Sequence, residues 1–177
     1  MKISYFFPIT LLLLLCCGER KPNSDLVLTK IVGQFPRDHL LRLSDLDSAA
    51  AEYFIRDFPK EKPGLVKGDF DGDGHSDYAI LLRSNSGTST KLVVFRYSET
   101  QNYTIGYELE DVYSMSYITV VKVGSCIEET DAIDNVNPLS PTILKYLGIN
   151  LTHFGKSARV IFWDERTNKF EEIWTSD

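Results

Sequence analysis

Cysteine is scarce in this 177-residue chain: there are three, and two of them are neighbours, Cys16 and Cys17. Beyond them stands Cys126 alone, which leaves the body of the chain no disulfide of its own; its thiol is expected to be a small buried apolar residue. Histidine is equally thin. His39, His75 and His153 are isolated, with none at the i, i+4 spacing of a helical zinc site, and each is expected to be a hydrogen-bonded structural residue. No cluster of Lys and Arg appears, which argues against nucleic acid as a partner. A G-x-S-x-G elbow and a glycine-rich phosphate loop after a strand are both missing. No internal repeat is visible, which argues against a propeller of several blades, and a seven-bladed one is excluded by length alone. The longest apolar run falls short of the roughly twenty residues that cross a bilayer.

What is present begins with "MKISYFFPITLLLLLCCGER": one Lys, an apolar stretch of about fifteen residues, then polar chain. That layout is a signal peptide. Its end resembles the lipobox of bacterial lipoproteins, in which a cysteine is lipidated and then starts the mature chain. Leu14 lies three residues before Cys17 and Cys16 supplies the small residue just before it, whereas the frame ending at Cys16 places bulky Leu15 there. The resemblance implies Cys17 as the lipid acceptor and a membrane partner through the N-terminal lipid, with an ordinary secretory peptide or an uncleaved anchor as the alternatives. Gly18 follows, where Asp would favour inner-membrane retention, so the resemblance implies outer-membrane placement in a two-membrane cell. Setting residues 1–16 aside removes Lys2 and no acid and takes the formal charge from −6 to −7.

Residues 17–25 then read as a tether and 26–177 as a single domain with enough chain for a sizeable core. "DLVLTKIVGQFP" suits strand or helix. From Ser44 the apolar residues 46, 49, 50, 53 and 54 recur at helical spacing, Ser44 and Asp47 imitate a capping box, and Pro59 lies past the end. After Pro63 come eight short strand-like runs, "LVKGDF", "DYAILLR", "KLVVFRY", "YTIGYELE", "YITVVKVG", "INLTHF", "ARVIFWD" and "FEEIWTS", separated by turn-formers. The expected fold is α+β: a largely antiparallel sheet with one N-terminal amphipathic helix packed on it, and not a propeller. Gly124 to Pro141 reads as an acidic surface loop. Tyr103 and Tyr107, and again Tyr113 and Tyr117, recur at spacing four, which puts each pair on one face of a strand. Core packing is one use for them; an exposed face for a carbohydrate or protein partner is the other.

The densest chemistry lies in "GDFDGDGHSDYAILL", residues 68–82. Asp69, Asp71, Asp73 and Asp77 fall at positions 1, 3, 5 and 9 of a loop from 69 to 77, with Gly74 at position 6 to permit a sharp reversal. Calcium takes six to eight oxygens, and alternate side chains of a looped chain can wrap it; the carbonyl of His75 would add a backbone ligand. Without a cation, four carboxylates this close repel one another. The stretch resembles the calcium loops of FG-GAP and VCBS repeats, found in integrin alpha chains and bacterial surface proteins. That resemblance implies calcium held by Asp69, Asp71, Asp73, the His75 carbonyl and Asp77. Ile80 stands twelve places along, where an EF-hand has Glu. Together these readings predict a lipid-anchored, extracytoplasmic envelope protein with a calcium loop and a binding or structural role. The alternative is a calcium-dependent hydrolase of an envelope polymer.

Overall fold

The computed structural model describes residues 24–100, 102–128 and 141–175. The expected signal peptide and both candidate lipid sites, Cys16 and Cys17, lie outside the described residues, as does most of the acidic stretch before Pro141. Helices α1 (Ser24–Val32) and α2 (Ser48–Asp57) precede or interrupt a β-rich body. Its strands are β1 (Asp38–Leu40), β2 (Leu65–Gly68), β3 (Asp77–Ser84), β4 (Thr90–Ser98), β5 (Asn102–Leu109), β6 (Ser116–Val121), β7 (Cys126–Ile127), β8 (Thr142–Ile143), β9 (Gly148–His153), β10 (Ser157–Asp164) and β11 (Lys169–Thr175). Every strand pairing is antiparallel. The architecture is α+β, and among the described residues no strands close into a barrel or a propeller.

Strands β3, β4 and β5 form the backbone of one sheet, with β1 and β2 sharing the free edge of β3; β11, β10, β9 and β6 form a second. Along β3 the side chains alternate between two destinations. Ala79 and Leu81 face the second sheet, where Ile118, Ile149, Leu151 and Ile161 complete a buried inter-sheet core. Tyr78, Ile80 and Leu82 face outward, and are covered by Val27, Leu28 and Ile31 of α1 with Phe35 after it. That cover explains why β3 reads as an unbroken apolar run: both of its faces are buried. Ile31 is 1% exposed, a burial that contributes about 1.5 to 3 kcal/mol.

Several sequence expectations are corrected here. The described residues contain two helices: the stretch that suits strand or helix is α1, and positions 24 and 25 of the expected tether lie in it. The second helix starts at Ser48 rather than near Ser44, because Leu43–Asp45 forms a separate 3-10 turn and Asp47 is the cap, accepting the Ala50 N–H at 2.7 Å. Phe54 of α2 is buried on Tyr117 of β6, with ring centroids 5.2 Å apart. Cys126 is exposed, not buried, since its two-residue strand turns only Ile127 inward.

The tyrosine pairs are also corrected. In β5, Tyr107 opposes Val94 but Ile105 opposes Phe95, so Gly106 is an extra residue, a β-bulge. The insertion reverses the alternation. Tyr103 packs on the α1 side and Tyr107 on the inter-sheet side. A Cβ at Gly106 would lie 2.7 Å from Arg96 Cδ and 3.0 Å from Phe170, so only glycine admits both. Tyr113 precedes β6 and shares no strand with Tyr117.

Candidate metal site

Residues 69–77 join β2 to β3, adjacent antiparallel strands whose pairing ends at Gly68 opposite Asp77. Reversal in so few residues requires left-handed backbone, and Gly72 and Gly74 supply it with φ of +79° and +85°. The tip of this hairpin folds as a ladder of side-chain turns. Asp69 accepts the N–H of Gly72 at 2.7 Å and that of Gly74 at 3.0 Å; Asp71 accepts that of Asp73 at 3.1 Å; Asp73 accepts that of His75 at 2.7 Å. Aspartate at alternate positions is the residue that makes such turns.

Asp77 closes the loop from below. It is fully buried, and its two oxygens accept the N–H groups of Phe70 at 3.0 Å and Tyr97 at 2.8 Å. Burial nonetheless pushes its pKa up to about 7, helped by the negative charges of Asp71 and Asp73 and opposed by the two N–H donors. Asp71 is the second buried acid, its side chain 1% exposed, and Arg96 of β4 donates its Nε to it. The guanidinium also lies 4.1 Å from the centre of the Trp163 ring on β10, a cation–π contact that fixes its plane.

Ligand-capable oxygens of Asp69, Asp71 and Asp77 all lie within 4.8 Å of one another, and among the described residues this is the group that could hold a metal ion. The structure thus brings together three of the four expected carboxylates. Asp73 stands outside the group, its carboxylate turned to the His75 N–H. His75 uses its ring elsewhere, stacked at 4.2 Å on Tyr97. The other histidines are hydrogen-bonded, as expected: His39 to Asn85 and Asp45, His153 to Ser116.

Two partners of the loop were invisible in its own stretch of sequence. Arg96 is one. The other is Tyr146, whose ring fills the space a Cβ would need at Gly72 and whose hydroxyl donates to Glu165, which Lys145 also holds. Arg96 is separated from Asp71 by twenty-five residues and Tyr146 lies farther still, so no local pattern signals either contact.

No protein-family model, no curated protein and no solved structure matches this chain.

Proposed function

We propose that this chain is a lipid-anchored, extracytoplasmic envelope protein with a binding or structural role, and that its β2–β3 loop holds calcium. The observation that carries the calcium reading is the convergence of Asp69, Asp71 and Asp77, with oxygens within 4.8 Å of one another, on a glycine-reversed loop. Hard oxygen donors on an irregular loop suit calcium better than magnesium, which demands a tight octahedral shell, or zinc, which favours nitrogen and sulfur. Asp69, Asp71 and Asp77 would hold the ion, and the resemblance to FG-GAP loops adds Asp73 and the His75 carbonyl. Bound calcium supplies the positive charge that lets Asp77 ionise in its buried position. The lipobox-like "LLCC" ending at Cys17 supports the anchor.

Arg96 favours a second reading, in which its guanidinium already balances Asp71 and the loop is a self-satisfied turn. Calorimetry and thermal melting separate the two. For an extracellular site of roughly 0.1 to 1 mM affinity, millimolar calcium should stabilise the fold by about 1 to 1.5 kcal/mol, raising the melting temperature by a few degrees, with magnesium less effective. Identical melts in calcium and in chelator, with no heat of binding, would leave the self-satisfied turn as the correct reading. For the anchor, Cys17→Ser should block lipid labelling while Cys16→Ser is tolerated; normal labelling of the Cys17 variant sinks that assignment.

A further inference from the structure

Toward the other end of β10 from Trp163, a cleft of about 220 Å³ opens between the chain after β5, the β9–β10 turn and the end of β11. Its apolar walls are Tyr113 and Trp174. Its cations are Lys156 and Arg159. Arg159 and Trp174 are direct cross-strand partners, which sets the guanidinium 3.7 Å from the centre of the Trp174 ring. Lys156 Nζ lies 3.7 Å from the centre of the Tyr113 ring. On the floor, Ser116 holds His153 through Nδ1 at 2.7 Å, fixing the ring.

Both cations retain unused capacity. Among the ion pairs of the described residues Lys156 has no carboxylate. Arg159 gives Nη1 to Glu172 at 3.2 Å, while its Nη2 makes no hydrogen bond among the described residues. A carboxylate is the partner a guanidinium's N–H groups fit. Two acids share the rim, but Lys91 draws Glu110 at 3.7 Å, leaving Asp111. A cavity of roughly 150 Å³ accepts a benzene ring, so this one has room for a single ring with a carboxylate attached.

We propose that this cleft binds a small carboxylate carried on a ring, with the ring against Tyr113 and Trp174 and the carboxylate meeting Lys156 and Arg159. The chemistry is shared by aromatic acids and acidic sugars, and the test separates them. Titrating the full chain in detergent with benzoate and with glucuronate, alongside benzyl alcohol and glucose as neutral counterparts, reads binding by calorimetry and by the Trp174 indole resonance. A carboxylate should bind with a dissociation constant on the order of a millimolar, and its neutral counterpart should not. Binding of benzoate alone assigns the aromatic source, and of glucuronate alone the sugar. Lys156→Gln, at an exposed position, should weaken the interaction by about threefold, and Asp111→Asn should tighten it by a similar factor. The proposal is overturned if neither acid binds at millimolar concentration, if a neutral counterpart binds equally well, or if both variants bind as the wild type does.

Discussion

Arg96 of β4 donates to Asp71 across twenty-five residues of sequence, placing a fixed positive charge against one of the three carboxylates that converge in the β2–β3 loop. The pair is unevenly buried: the Asp71 side chain is 1% exposed and that of Arg96 31%. Removing the cation strands a buried anion, which is more damaging than the pair itself is stabilising. Arg96→Met should therefore lower the stability of the calcium-free protein by about 2 kcal/mol, and should enlarge the stabilisation that calcium gives. Chemical unfolding in chelator and in calcium measures both; an unchanged calcium increment would show that Arg96 and the ion do not share Asp71.

The three converging carboxylates and the outlying Asp73 predict different variants. Asp69→Asn keeps an oxygen for one of the two loop N–H groups but removes a charge, and calcium binding should drop by tenfold or more. Asp73→Asn should bind with less than tenfold loss, because its carboxylate lies outside the converging group. Calorimetric titration of both decides this. Equal losses would mean that the ion draws Asp73 inward, as the FG-GAP resemblance implies.

Asp77 gives the calcium-free protein a pH signature. Its pKa rises from the ordinary 3.8 to about 7, burial being the largest cause, so the folded state binds this proton more tightly than the unfolded state. The stability it contributes is fully present below about pH 4 and is lost as pH rises through about 7. Measured in chelator, wild-type stability should fall between those limits relative to Asp77→Asn, which cannot titrate. The comparison is read from the slopes, since the amide has one acceptor oxygen for the two N–H groups. Parallel curves for the two proteins would refute the assignment.

Gly72 and Gly74 share a left-handed backbone but not a neighbourhood. An added Cβ at Gly74 meets nothing within 4 Å, whereas at Gly72 it collides with the Tyr146 ring. Gly74→Ala should cost about 1 to 2 kcal/mol from backbone strain alone. Gly72→Ala should cost more, about 3 kcal/mol, and a Tyr146→Ala background should return part of the difference. A double-mutant cycle with no coupling would show that the ring moves aside freely.

Much of the architecture could be read from residue order. The runs after Pro63 became strands because their apolar residues, β-branched residues and turn-formers all agreed, and the Asp-Gly loop announced itself by spacing. Other features depend on contacts that no window contains. Ser44 looked like a helix cap until Leu43–Asp45 turned into a separate 3-10 step and Asp47 took the role. "DLVLTKIV" suits either helix or strand and became α1 because the outer face of β3 and β4 needed cover. The charge balance of the loop depends on Arg96 and Tyr146, brought in by the pairing of β3 with β4 and by the chain before β9. The parity of β5 is not legible in the tyrosine spacing, because one glycine changes it.

That glycine divides β5 into two independently addressable halves. Before it, Tyr103 packs with Tyr78 and Tyr97 on the α1 side; after it, Tyr107 and Leu109 pack at the seam between the sheets, where the Tyr107 hydroxyl donates to Glu172 at 2.5 Å. Sequence changes confined to one half leave the facing of the other untouched, so the α1 side and the seam leading to the Trp174 cleft can drift separately. Deleting Gly106 would remove that independence, forcing the strand to choose which of its two surfaces stays in phase.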